Sequence, residues 1–457
     1  MENEKNKVQA LEQNKEEKKK GTLITVLLTA AVVVSLSLLG YYVWAKGVSQ
    51  QPDKNPIGSA TPTPAEYASL PTNTPEPTPT VAPTSIPTMA ATLIPTATPT
   101  PKPVTTLMPK PEFEPVKALY LKPGSVQGNI DHYIDLANRT EINAYVIDIK
   151  SDDGTILYKS EIEDVIAANA CMKNFDICKV IQKLHDNNIR VIGRMVTFKD
   201  SKITKYKPEL AIQSNGKIFK QSESGDKYSY WLDATNQKAW DYIASIVNEA
   251  IHFGFDEIQF DYIRFPETSL YDYELGFLED GRERHEYIEE FIAFIRSHVP
   301  ETILSADIFG MPLISSRDYG EIGQTLETIG INLDYISPMI YPSHYANNAP
   351  KGAMSNKVGQ VINGVKFTHP DLSPYDVVYN TLIMGKKRIE AAKGYNIKVR
   401  PYIQGFTASY LPSGYWMKYG VEEHRAQIQA IYDAGYEEWI FWNSPNEYVE
   451  EAFLPKE

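Results

Sequence analysis

From Val116 onward, short apolar runs alternate with stretches whose apolar residues recur every three or four positions, the pattern of strands followed by amphipathic helices. The spacing predicts strands at 116–123, 144–151, 190–198, 257–266, 303–310, 334–342, 399–406 and 437–443. Between them it predicts helices at 130–139, 177–187, 238–253, 283–298, 375–393 and 422–434. Repeated β-then-α units imply a parallel sheet. Roughly eight of them in ~340 residues fit a closed (β/α)8 TIM barrel better than an open sheet. The longest stretches after strands, 199–235 and 343–373, are expected to open at the C-terminal mouth, where barrel enzymes keep their active sites.

One strand stands out. Phe255-Asp256-Glu257-Ile258-Gln259-Phe260-Asp261-Tyr262-Ile263-Arg264-Phe265-Pro266 alternates apolar with polar residues, so Glu257, Gln259 and Asp261 share one face. Ile258, Phe260 and Tyr262 point the other way, toward a layer of helices. The acidic groups then face the inside of the barrel, where a carboxylate is costly unless something pairs with it or uses it. Other strands end the same way: Asp148 and Lys150 in the second, Arg194 in the third, Ser305 and Asp307 in the fifth, Tyr341 in the sixth, Arg400, Tyr402 and Gln404 in the seventh. The eighth ends in Trp442 and Asn443, only one of which can point inward. Polar tips converging from several strands indicate a polar active site.

The N-terminal quarter follows another pattern. Residues 1–20 are charged and include Lys18-Lys19-Lys20, and residues 21–45 hold an apolar run, Leu23 to Trp44, with no formal charge. That length suits a single transmembrane helix, and the lysines before it put the N-terminus in the cytoplasm. A cleaved signal peptide is the rival, but the run exceeds a usual signal core. Residues 46–112 are rich in Thr, Pro, Ala and Ser and are expected to form a disordered stalk. The remainder, 113–457, is the barrel domain, expected on the outer side of the cell membrane.

The net charge of −13 argues against a nucleic-acid partner and favours neutral or cationic ligands. Cys171 and Cys178 lie close together and read either as an extracellular pair or as two thiols. No phosphate loop, dinucleotide fingerprint or zinc spacing is present, and Ser151-Asp152-Asp153-Gly154 reads as a turn, so no metal or cofactor is expected.

Carboxylates gathered at one mouth point to acid/base chemistry on a glycosidic bond. Asp261 and Asp307, on adjacent strands at similar height, are the candidate catalytic pair. Asp261 is followed by Arg264, a cation able to keep it ionised as nucleophile or base. Asp307 is followed by the apolar Ile308 and Phe309, which favour a protonated acid. Each has a structural alternative, an ion pair bracing the barrel, such as Asp261 with Arg264 or Arg194. Asp148 and Lys150 read either as a structural pair or as hydroxyl binders, and Glu257, far from the mouth, reads as scaffold. Arg194, Arg400, Gln404 and Asn443 are candidates for orienting sugar hydroxyls, with His344 in a mouth loop. Tyr341, Tyr402 and Trp442 are candidate stacking platforms or core.

The motifs Val146-Ile147-Asp148-Ile149-Lys150, FDEIQFDYIRFP, Leu304-Ser305-Ala306-Asp307-Ile308-Phe309-Gly310, Pro338-Met339-Ile340-Tyr341-Pro342-Ser343-His344-Tyr345 and Arg400-Pro401-Tyr402-Ile403-Gln404 occur in order from residue 115 to the C-terminus. In these the chain resembles the glycosyl hydrolase domain family of cell-surface proteins from Gram-positive and related bacteria. The resemblance implies a TIM barrel related to glycoside hydrolases, with acidic positions at Asp148, Asp261 and Asp307. Tyr402 stands where a tryptophan is expected. The expectation is therefore a membrane-anchored extracellular glycoside hydrolase acting on a cell-wall or matrix polysaccharide. A non-catalytic carbohydrate-binding or wall-tethering barrel is the rival from another class, and a deacetylase a third.

Overall fold

The computed structural model describes residues 114–222, 227–267 and 281–456. The expected cytoplasmic tail, membrane span and stalk lie outside the described residues. Among the described residues, no helix is long and apolar enough to cross a membrane.

A parallel barrel closes around a common axis. Its strands are β1 (Lys117–Leu121), β2 (Ala144–Lys150), β3 (Arg190–Val196), β4 (Glu257–Asp261), β5 (Ile303–Phe309) and β6 (Tyr335–Ile340). The seventh stave comes in two pieces, β7 (Lys398–Val399) and β8 (Tyr402–Gln404), and β9 (Trp439–Trp442) returns to β1. Strand β5 pairs with β6 and thereby shuts the ring. Arg400 and Pro401 divide the seventh stave because proline has no N–H to give to the ladder. Helices α1 (Pro123–Arg139), α2 (Ile177–His185), α3 (Gln237–Phe253), α4 (Arg284–His298), α5 (Leu326–Ile329), α6 (Pro374–Ala391) and α7 (Val421–Asp433) connect successive staves, completing a (β/α)8 barrel.

Local chemistry accounts for where these elements begin and end. Asn236 accepts from the Lys238 N–H to start α3, and Gly254, at φ 104°, ends it. Glu283 and Glu286 form the capping box of α4. The helix α1 starts seven residues before the expected Ile130, because Pro123 presets the first turn. Strand β4 stops at Asp261, short of the expected Pro266, because Tyr262 adopts φ 48° and turns the chain. Cys171 and Cys178 are half-buried thiols with no disulfide between them.

The main core lies between strands and helices and includes Ile258, Phe260, Phe291 and Trp240. A second, smaller core fills one side of the barrel interior with Val116, Ala118, Val146, Ile192 and Ile440. The opposite side is polar. At the base, fully buried Glu257 accepts from Arg400 Nη2 and from Ser305 Oγ, while Arg400 packs over the Tyr335 ring at 4.4 Å. One layer up, Tyr402 Oη donates to Gln259 Oε1 at 2.7 Å, and Gln259 Nε2 donates to Ser337 Oγ at 3.2 Å.

Replacing one member of a buried ion pair leaves the other charge uncompensated, at a cost of about 3–5 kcal/mol, whereas replacing both with apolar residues is close to neutral. Glu257→Gln is therefore expected to lower the unfolding free energy from urea denaturation by an amount in that range, and Glu257→Leu with Arg400→Met to recover most of it. A single-substitution cost near the ~0.5 kcal/mol of an ordinary surface change would show that Arg400 is satisfied without Glu257.

Candidate active site

At the C-terminal end of the barrel a cleft of about 880 Å³ is lined by residues from nearly every stave. Its volume falls in the range of small-ligand sites, roughly 300–1,000 Å³. Asp148, Asp261, Asp307, Arg194, Arg264, Tyr341, His344, Tyr402 and Trp442 all line it. Register brings the carboxylates level: Arg194 pairs with Asp148 on one side, and Phe260 pairs with Ala306, one residue before Asp261 and Asp307.

Arg194 sits at the centre. Its Nη1 donates to Asp148 Oδ1 at 2.6 Å, while Nε and Nη2 both donate to Asp261 Oδ2, at 3.0 and 2.5 Å. Tyr120, a residue the sequence reading passed over, donates its hydroxyl to Asp148 Oδ2 at 2.6 Å. Asp261 Oδ1 accepts from the Tyr262 N–H at 2.6 Å. The left-handed backbone at Tyr262 makes that contact, in a conformation costing a non-glycine residue about 1–3 kcal/mol.

Asp307 differs from both. It is 1% exposed, neither of its oxygens has a hydrogen-bond partner among the described residues, and its nearest cation, Arg194 Nε, is 3.8 Å away. Burial first, and then the negative charge of Asp261, push its carboxyl well above the usual carboxylate range. Burial also raises Asp148, although Arg194 and Tyr120 oppose that shift. Three acids facing one guanidinium leave the floor short of positive charge, and Asp307, with the fewest donors, is where a proton is most stable.

Aromatic rings form one wall. Trp442 lies 5.9 Å from Tyr341, 6.3 Å from Tyr120 and 5.4 Å from Phe406, ring centre to ring centre. Trp442, not Asn443, is the inward residue of the last stave.

Four expected substrate contacts do not reach the cleft. Lys150 is turned away by a β-bulge between Asp148 and Lys150, which puts it level with Met195 on the helix-facing side. There it is fully buried, 3.0 Å from Asp200 Oδ2, and donates to Val196 O and Thr197 O. Gly154 (φ 93°) permits this arrangement, since a Cβ would meet Asp200 Oδ1 at 1.9 Å. Arg400 is committed to Glu257 at the barrel base. Gln404 accepts from Ser343 N and donates to Asp371 Oδ1 and Phe406 O, tying two mouth loops together. Asn443 donates to Gly405 O and Glu447 O. Arg264 lines the cleft but is not the partner of Asp261. Its guanidinium lies among the rings of Trp231, Tyr262 and Phe309, each 5.0–5.2 Å away, and donates to Phe265 O. Tyr402 lines the floor yet is 2% exposed, its hydroxyl given to Gln259.

The raised carboxyl of Asp307 has a consequence for stability. An unfolded chain ionises Asp307 in the ordinary range near pH 4, whereas the folded protein holds the proton to much higher pH. Stability from Asp307 is thus full below about pH 4 and is lost as pH rises toward the folded pKa. Asparagine does not titrate. The thermal midpoint of Asp307→Asn, relative to wild type, should therefore rise between about pH 4 and pH 7. A relative midpoint that falls over that interval would mean that the fold favours the carboxylate.

No curated protein matches the chain. Among solved structures, a hypothetical protein from Ruminiclostridium thermocellum ATCC 27405 is 46% identical, covering 41% of this chain and 96% of its own, with a TM-score of 0.38. The glycoside hydrolase domain of PgaB (BpsB) from Bordetella bronchiseptica is 12% identical, covering 74% and 98%, with a TM-score of 0.51. The alpha-galactosidase TtGalA from Thermus thermophilus is 13% identical, covering 74% and 60%, with a TM-score of 0.45. At these identities the PgaB likeness speaks for the barrel fold alone. Residues 118–448 match the family described as "Putative glycosyl hydrolase domain", and the chain belongs to that family.

Proposed function

We propose that this protein is a membrane-anchored, extracellular glycoside hydrolase that cleaves a cell-wall or matrix polysaccharide with Asp261 and Asp307. The observation that carries the reading is the unequal treatment of two neighbouring carboxyls. Asp261 accepts from Arg194 and from the Tyr262 N–H, while Asp307, buried and with no donor among the described residues, favours its proton. A carboxyl paired with a guanidinium beside one that favours its proton, next to an aromatic-walled cleft, suits the division of labour that glycoside hydrolysis needs.

In the proposed reaction Asp307 gives its proton to the glycosidic oxygen as the bond to the anomeric carbon breaks. Asp261 attacks that carbon to form a glycosyl ester. Asp307, now a carboxylate, takes a proton from water, whose oxygen displaces Asp261 and releases the sugar. Arg194 lies 3.0 Å from an oxygen of Asp261 and 3.8 Å from an oxygen of Asp307, so those oxygens are no further apart than the two distances end to end. That ceiling barely reaches the ~6.5–9.5 Å spacing of inverting enzymes and admits the ~5–5.5 Å of retaining ones. The geometry therefore favours retention of configuration. The anchor and stalk rest on the sequence pattern of residues 21–112.

Asp261→Asn is expected to reduce the release of reducing ends from purified wall glycans by about 10²–10⁴-fold, while the chain still melts cooperatively. Proton NMR of the first product should show the anomer of the substrate. Glycan binding without new reducing ends in the wild type would instead favour the carbohydrate-binding module. Deleting residues 1–45 should move the protein from the membrane fraction to the soluble one. Continued membrane recovery of the deletion would overturn the anchor.

A further inference from the structure

The geometry points to a glycan carrying free amino groups, a cationic hexosamine polymer, as the ligand of this cleft. The inference rests on the hydrolase reading for what happens to the bound chain, but not for binding itself. Six acidic side chains line the cleft against three basic ones. Two of the basic ones are already engaged, Arg194 by Asp148 and Asp261 and Arg264 by three rings and Phe265 O, while exposed Lys122 donates to the neutral Ser444 Oγ at 3.2 Å. Among the described residues of the cleft, Lys122 alone keeps a positive charge with no carboxylate, ring or buried partner, so the cleft stays net negative.

Three acids are left over among the described residues: Asp307, Asp152 and Glu267. Asp307, at the floor, is a buried group whose oxygens await a partner that the described residues do not supply. Its need is for a polar ligand atom, which the glycosidic oxygen meets. Asp152 stands at the rim, four residues beyond Asp148, exposed and without a hydrogen-bond or ion-pair partner among the described residues. Asp153 beside it is occupied, accepting from Ser151 Oγ and Thr155 N. An ammonium group one sugar away from the cleaved bond would meet Asp152 without approaching Asp307, whose proton it would otherwise weaken. The Trp442 face, half-exposed beside Tyr341, accepts either a sugar ring or a cation. A neutral sugar gains nothing from the acidic excess, and an anionic one is repelled.

The test uses β-1,4-linked glucosamine hexamer and its fully N-acetylated counterpart, with the full chain in low salt, by calorimetry. The free-amine hexamer should bind about five-fold tighter or better, on the scale of one well-placed ion pair. The margin should shrink toward unity in Asp152→Asn and in about 1 M salt, where the screening length falls to ~3 Å. Equal, weaker or undetectable binding of the free-amine hexamer overturns the inference, as does a margin untouched by Asp152→Asn. Reducing-end assays on the same pairs separate the two readings. Cleavage with no preference for the amine keeps the hydrolase and removes the cationic substrate. Amine-selective binding with no cleavage of any wall glycan does the reverse.

Discussion

Every second residue of β4 points into a closed barrel, and three of those residues, Glu257, Gln259 and Asp261, are polar. Water does not reach most of that interior, so each must be satisfied by a side chain from another stave. The seventh stave answers the first two, with Arg400 for Glu257 and Tyr402 for Gln259. The third stave answers the last, with Arg194 for Asp261. The first two pairings run across the barrel, and the third joins neighbouring staves. They fix which residues can share its interior, and they explain why the apolar half, from Val116 to Ile440, lies on the other side.

Compensation weakens from base to mouth. Glu257 has Arg400, Ser305 and, at 3.7 Å, Arg190. At the mouth one guanidinium serves Asp148, Asp261 and, at 3.8 Å, Asp307. An interior that balances its charges at the bottom and fails to do so at the top has put its unmet demand where a ligand can enter. The cost of desolvating Asp307 falls where a proton can be both held and given away.

Much of this was legible in the sequence, because alternation is a geometric rule. The inward set of β4, the level placement of Asp261 and Asp307, and the expectation that Asp307 keeps its proton all follow from period two and from the apolar neighbours Ile308 and Phe309. The barrel itself was legible as repeated β-then-α units. Where alternation is interrupted, the reading failed. A bulge removed Lys150 from the inner face, Pro401 split the seventh stave, and the left-handed Tyr262 sent Arg264 into an aromatic nest. Partner choice was also hidden, since Arg194 and Arg264 are both within plausible reach of Asp261 in sequence terms. Tyr120 could have been found: it stands on the inward face near the end of β1, two residues after Ala118.

The polar residues that missed the cleft explain why it can be rigid. Lys150 fastens the loop after β3 through Asp200, whose Oδ1 accepts from the backbone of Lys202 and Ile203. Gln404 holds the loops after the sixth and seventh staves to one another, and Asn443 holds the segment after β9 to Gly405. All three are buried, so their hydrogen bonds are not shared with water and are costly to break. A mouth built from loops would ordinarily be soft. Here each of these loops is pinned by a side chain from a stave end, so the carboxyls and the aromatic wall keep their spacing when the cleft is empty. The proposed proton transfer and attack would both depend on that spacing, which Lys150, Gln404 and Asn443 secure from outside the cleft.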